Sequence, residues 1–265
     1  MRRDKNRALQ LGMNNLWLIA EQPRPRVVGH RGASAHAPEN TMAAFRLAMQ
    51  QGAEGVELDV WRCRSGEVVV IHDENVARTT NGQGCVRKMD WAALHALDAG
   101  RGERIPLLQE VLDAVAERSP TVLVNIELKQ MWRGAHELVR AVAALLRDHP
   151  CRGCVLISSF SPVALMWAAR MMPDVPRAIL YDVATPRWLR WLQQWAVPHQ
   201  AEHPSVRSIT PMQVRALHQR GIHVNTWTVN SQAELRWALT CDVDGVIGDS
   251  PLQLLAWLQA PAVGR

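Results

Sequence analysis

No apolar run in this 265-residue chain is long enough to span a membrane, which takes about 20 residues. The N-terminal stretch Leu16 to Ala20 is also too short for a signal-peptide core. Cysteine is scarce and odd in number, with five at positions 63, 85, 151, 154 and 241. That excludes a dense disulfide framework and points to a reducing, cytoplasmic setting. Cys151 and Cys154 have CxxC spacing, but no second pair or neighbouring His pair completes a zinc site, so a plain loop leading into a strand is the simpler reading. No block of five or six like charges occurs, although the formal net charge is +5 and the pI near 9.3. Basic residues spread in this way favour acidic ligands in general and argue against nucleic acid. Internal repeats and low-complexity linkers are missing as well, and the length suits one large core.

What is present alternates. Val-Val-Gly-His30, Gly-Val-Glu57-Leu-Asp59, Val-Val-Val-Ile-His72 and Val-Leu-Val-Asn125-Ile-Glu127-Leu-Lys129 are short apolar runs ending in polar groups. Runs of this kind are strands covered on both faces, and the ends of such strands are where α/β sheets place their chemistry. Helix starts follow. Thr41 or Asn40 precedes a helix through Met42, Phe45 and Met49 that Gly52 closes. Ser161-Pro162, Thr210-Pro211 and Ser250-Pro251 each place a capping residue before a first-turn proline, and Ser231-Gln-Ala-Glu234 is a capping box. The strands ahead of these four starts are expected at Val155 to Ser159, around Val197, at Val243 to Ile247 and at Val224 to Val229 respectively. Repeated strand and helix units predict an α/β fold closed as a distorted TIM (β/α)8 barrel. Residues 1–25, with Arg2, Arg3, Lys5 and Arg7, read as a loosely docked N-terminal extension to a single domain over 26–265.

Between Val60 and Glu67 there is no room for a crossover helix, so strands 2 and 3 should form an antiparallel hairpin. A two-residue turn at Ser65-Gly66 would pair Arg64 with Glu67 and set Asp59 opposite His72, with Glu57 on the same face. The hairpin also accounts for nine candidate strands where a barrel holds eight.

Glu57, Asp59 and Glu127, once ionised and gathered together, repel one another unless a cation sits among them. An all-oxygen set selects a hard ion, Ca²⁺ or Mg²⁺. His30 and His72 titrate in the range needed for proton transfer near neutral pH. Arg31 offers a planar fork for phosphate oxygens and Lys129 a point charge. Taken singly, each is more commonly a salt-bridged carboxylate, a hydrogen-bonded histidine or a surface cation.

The motifs His30-Arg31-Gly32, Pro38-Glu39-Asn40-Thr41, Glu57-Leu-Asp59, Ile71-His72-Asp73 with Arg78-Thr79-Thr80-Asn81-Gly82, Ile126-Glu127-Leu-Lys129, Ser158-Ser159-Phe160 and Trp227-Thr228-Val229-Asn230 occur in that order. Together they resemble the glycerophosphodiester phosphodiesterases of the bacterial cytoplasmic type, over about Arg26 to Ser250. The resemblance implies metal-dependent hydrolysis of glycerophosphodiesters, the deacylated phospholipid headgroups, to sn-glycerol 3-phosphate and an alcohol. It implies that Glu57, Asp59 and Glu127 hold one divalent cation, that His30 and His72 are base and acid, and that Arg31 and Lys129 contact phosphate. Trp227 and Phe160 would wall the glycerol pocket, with Glu39 supporting the first loop. The family's attacking hydroxyl belongs to the glycerol itself, which implies a cyclic phosphate later opened by water.

The chain departs from the family in three places. Arg101-Gly-Glu-Arg-Ile-Pro106 follows Leu97-Asp98-Ala99-Gly100 directly, where a longer insertion is usual, so a reduced lid is expected. Gly248-Asp249 stands where Thr-Asp is usual, and Val197 to His203 aligns poorly. Tryptophan is abundant, eleven against two Phe and one Tyr. Trp188, Trp191 and Trp195 fall at helical spacing with Arg187 and Arg190, and the ordinary reading is an apolar stripe packed on the barrel. A membrane-facing helix is the other, and it would suit a lysophospholipase D type of enzyme acting on lysophospholipids. A non-catalytic phospholipid-binding barrel is a third reading, which the complete set of histidines and carboxylates opposes. The expected partner is a small-molecule substrate, with the chain a monomer or homodimer.

Overall fold

The computed structural model describes residues 15–18, 24–119, 121–130, 132 and 134–260. Arg2, Arg3, Lys5 and Arg7, and with them most of the expected extension, lie outside the described residues. The strands are β1 (Arg26–Gly29), β2 (Gly55–Arg62), β3 (Val68–Val70), β4 (Leu123–Leu128), β5 (Val155–Ser159), β6 (Arg177–Tyr181), β7 (Ala201–Pro204), β8 (His223–Thr226) and β9 (Gly245–Gly248). All but β3 run parallel, and β1 pairs with both β2 and β9, so eight strands close into a barrel. β3 hangs from β2 as the antiparallel partner. The helices are α1 (Met42–Gln50), α2 (Trp91–His95), α3 (Leu108–Arg118), α4 (Ala135–Leu146), α5 (Pro162–Met171), α6 (Arg187–Ala196), α7 (Pro211–His218), α8 (Gln232–Cys241) and α9 (Pro251–Gln259).

The local chemistry sets these boundaries. Thr41, Ser161, Thr210 and Ser231 each accept a first-turn amide through the side chain, which satisfies a donor the helix leaves free. Ser250 precedes α9 without such a bond. Asn40 does not cap; its amide is spent on Asp59.

Two expectations about the strands need correction. The strand expected around Val197 begins at Ala201, and Val197 instead ends α6. Ala-Glu-His-Pro carries buried Glu202 and His203 in place of an apolar run, which hides it from a hydropathy reading. The hairpin register is shifted by one residue. Arg62 pairs with Val68, the Cys63 amide donates to the Glu67 carbonyl at 3.0 Å, and the turn holds three residues, Arg64 to Gly66. Gly66 sits at φ +115, which lets the third residue fit. Asp59 therefore meets Ile71, whose amide donates to its carbonyl at 3.0 Å, rather than His72.

The N-terminal mouth of the barrel is stoppered. Trp17, in a short 3-10 turn (Leu16–Leu18), is 1% exposed. Its Nε1 donates to the Cys154 carbonyl at 2.7 Å, while Asn15 Nδ2 donates to the Val155 carbonyl and Arg26 Nη1 to the Trp17 carbonyl. The end of the extension is thus packed in. Cys151 and Cys154 lie in the buried 3-10 turn that leads into β5, as a plain loop would.

Candidate active site

The C-terminal mouth gathers the polar strand ends. Glu57 and Asp59 lie on β2, two apart and so on one face, and Glu127 on β4 is the register partner of Asp59. One carboxylate oxygen from each lies within 4.8 Å of the others, and all three residues are buried. Burial, with the neighbouring Asp59 charge, pushes the Glu57 carboxyl up to about 8. Asp59 is equally buried, yet Lys129, Arg31 and His72 nearby and the Asn40 amide at 2.8 Å hold it down to about 2. Burial also raises Glu127, against the pull of Lys129. Three hard oxygen donors with two of them pushed toward their neutral forms are a set that a divalent cation would relieve, and the trio could hold one.

His30 follows β1, and its Nδ1 lies 2.6 Å from Asp249 Oδ1. Burial works against a charge on His30, but the Asp249 hydrogen bond and the Glu57 charge outweigh it and the imidazole is raised above its usual range. His72 comes after β3 has ended at Val70, so the strand pleat no longer fixes its direction, and it reaches the pocket despite the shifted register. Its Nδ1 lies 2.5 Å from Asp73 and its Nε2 3.0 Å from Lys129 Nζ. Lys129 also contacts Glu127 at 2.7 Å and Asp59 at 3.4 Å, and despite burial these carboxylates raise its pKa.

Arg31 sits at φ +55 in the first loop. Its amide donates to Glu57 at 2.9 Å and its Nη1 to Glu39 at 2.7 Å, while Nε lies 3.4 Å from Asp59 without a hydrogen bond. Glu39 braces this arginine together with Arg78, which donates to it twice, at 2.7 and 2.8 Å. Gly32 (φ +82) is obligatory beside them, since a Cβ there would meet the Ala44 carbonyl carbon at 2.5 Å. Phe160 and Trp227 form one wall, edge to face at 5.8 Å, and the Trp227 indole donates to the His203 carbonyl. The cavity between these groups is about 290 Å³, at the small end of the ~300–1,000 Å³ range of ligand pockets.

Every residue expected from the sequence is brought together here, apart from Glu39, one shell out. The reading missed Asn40, Asp73, Asp249 and Asn125, which forms part of the pocket lining and whose Oδ1 is buried without a partner. Asp73 directly follows His72, and Asp249 sits at the end of β9 just before the Ser250-Pro251 start; those positions were the available signals.

A closed barrel whose C-terminal mouth joins an acidic trio to two carboxylate-oriented imidazoles and two cations offers the groups that hydrolysis of a phosphate ester needs. Residues 30–253 match the glycerophosphoryl diester phosphodiesterase family model. A glycerophosphodiester phosphodiesterase of Caldanaerobacter subterraneus subsp. tengcongensis is 35% identical over 244 residues, covering 86% of this chain and 96% of the relative. One from Bacillus altitudinis is 34% identical over 235 residues, covering 85% and 95%. An Oleispira antarctica phosphodiesterase, solved with the product sn-glycerol-3-phosphate, superposes with a TM-score of 0.81 at 30% identity, covering 89% of this chain and 97% of that one. The chain belongs to the glycerophosphoryl diester phosphodiesterase family and is an enzyme of that type.

Proposed function

We propose that this enzyme hydrolyses glycerophosphodiesters to sn-glycerol 3-phosphate and an alcohol, with Ca²⁺ or Mg²⁺ held by Glu57, Asp59 and Glu127. The observation that carries the reading is the acidic trio flanked by His30 and His72 in one cavity. The ion's part is to stabilise negative charge as it develops on the phosphate. Arg31 and Lys129 hold the phosphate oxygens, and the Phe160 and Trp227 wall seats the glycerol carbons. Asp249 and Asp73 occupy Nδ1 of the two histidines, so each exchanges protons with substrate through Nε2, which in His72 lies 3.0 Å from Lys129 Nζ and must turn from that ammonium to the substrate. His30 takes the proton of the attacking hydroxyl, and His72 protonates the departing alcohol. The five cysteines are free, which suits work in the reducing cytoplasm.

The test is release of sn-glycerol 3-phosphate from glycerophosphocholine and from the glycerophosphodiester of 4-nitrophenol. His72→Ala should abolish the first and retain much of the second, because nitrophenolate departs without an acid. His30→Ala should lose both. Equal losses on the two substrates for both variants would remove the acid and base assignment; activity surviving in the double variant would remove the site.

A further inference from the structure

Helix α6 is a part of the barrel wall that the catalytic reading does not use. Packing on the barrel was the ordinary expectation for its tryptophans, and the structure overturns it. Trp188, Trp191 and Trp195 are 67%, 65% and 76% exposed, Leu192 lies among them, and the indoles of Trp191 and Trp195 stack at 6.3 Å. Along the helix only Gln193 is buried, and its Nε2 donates to the Phe160 carbonyl at 2.8 Å, which ties α6 to a residue of the pocket wall. Exposed Val183 lies in the turn that leads from β6 into the helix, at the same end of the barrel as the pocket.

The charge on the helix itself has one sign. α6 carries Arg187 and Arg190 and no carboxylate. Arg187 is exposed, and Arg190 lies over the Tyr181 ring at 5.1 Å. The nearby Asp182 carboxylate is occupied by the Ala184 and Thr185 amides and the Thr185 hydroxyl. Indoles beside guanidinium groups, on a helix with one apolar and one polar face, are what the headgroup region of a membrane accepts. A second copy of the chain fits less well. Three indoles of about 150–250 Å² each, two-thirds exposed, offer roughly 400 Å², about half of the ~800 Å² per partner of a standard interface.

We propose that α6 seats this enzyme on an anionic phospholipid surface, with Trp188, Trp191 and Trp195 entering the headgroup region and Arg187 meeting lipid phosphates. The docking stands independently of which diester the site hydrolyses. It keeps the pocket beside the lipids whose headgroups carry glycerophosphate.

The full chain is sedimented with vesicles of phosphatidylcholine alone and with equimolar phosphatidylcholine and phosphatidylglycerol. It should pellet with the anionic vesicles and far less with the neutral ones. Trp188→Ser/Trp191→Ser/Trp195→Ser should lower partitioning at least about tenfold. Arg187→Gln should lower it about fivefold on anionic vesicles only, and added salt should weaken the wild type in the same way. Both variants should hydrolyse glycerophosphocholine in vesicle-free solution at the wild-type rate, which shows that they fold. Wild type that fails to pellet, or a tryptophan variant that pellets equally well, overturns the proposal. A wild-type dimer that the tryptophan variant converts to monomer, without vesicle binding, gives the face to a second copy and overturns it too.

Discussion

At the C-terminal end of the barrel, three buried carboxylates crowd together with two half-buried imidazoles, a lysine and an arginine, while at the N-terminal end a single neutral indole closes the mouth. Between them lies a neutral layer. His203 is fully buried, and burial pushes it down to about 3, so it stays uncharged; Asn225 bonds its Nε2 at 2.9 Å and Asn125 lies 3.5 Å from Nδ1. Trp17 approaches the same imidazole from below, with ring centroids 6.4 Å apart. The upper end concentrates like charges at a cost to folding, and the lower end is packed for stability. One strand can serve two layers: on β4, Asn125 belongs to the middle layer and Glu127, two residues on, to the charged mouth.

If the two ends divide the work in this way, substitutions should separate activity from stability. The largest effect is expected at the top. Glu127→Gln should cut turnover by about 10³-fold or more while leaving the thermal midpoint unchanged or higher, because it removes one of three repelling carboxylates; parallel kinetics and calorimetry check this. At the bottom, Trp17→Ala should lose about 3–5 kcal/mol of stability in urea with kcat and KM nearly unchanged below the transition.

Smaller effects should follow from the carboxylates that aim the imidazoles. Asp249→Asn and Asp73→Asn should each slow turnover by about 10–100-fold, with KM little altered.

The mildest effect is on pH dependence, where the charged mouth and the neutral layer beneath it should respond oppositely. For Glu57 the folded pKa is raised, so its contribution is present below about 4.5 and is lost as pH rises through about 8 in chelator-treated protein. For His203 the folded pKa is depressed, so its contribution is present above about 6.5 and is lost as pH falls toward about 3. Glu57→Gln should flatten the alkaline side of the urea stability profile and His203→Gln the acid side. A profile that neither variant changes would break the comparison.

The upper end was far more legible in the sequence than the lower. Glu57-Leu-Asp59 and Ile126-Glu127-Leu-Lys129 advertise themselves, because alternation fixes their face and polar groups contrast with apolar neighbours. The barrel followed from capping residues and strand count for the same reason: each is a local signal. The hairpin register was not local. It turned on whether the loop held two residues or three, and a glycine at positive φ decided it. Asp249 and Asn40 act across about 219 and 19 residues of chain, on His30 and Asp59, distances over which spacing carries no information. β7 hid its strand character behind two buried polar residues, Glu202 turned to Gln194 of α6 and His203 turned to Asn125 and Asn225 inside the barrel. The tryptophans of α6 have helical periodicity whether the stripe faces inward or outward, so only the fold shows that it points out.

The most direct test of the central claim is to strip the enzyme with EDTA and titrate Ca²⁺ or Mg²⁺ back while measuring bound ion and glycerol 3-phosphate release together. The account predicts that one ion per chain restores activity, in step with binding, and that Glu127→Gln loses both. Full activity in the stripped enzyme, or recovery that does not follow ion binding, would contradict it.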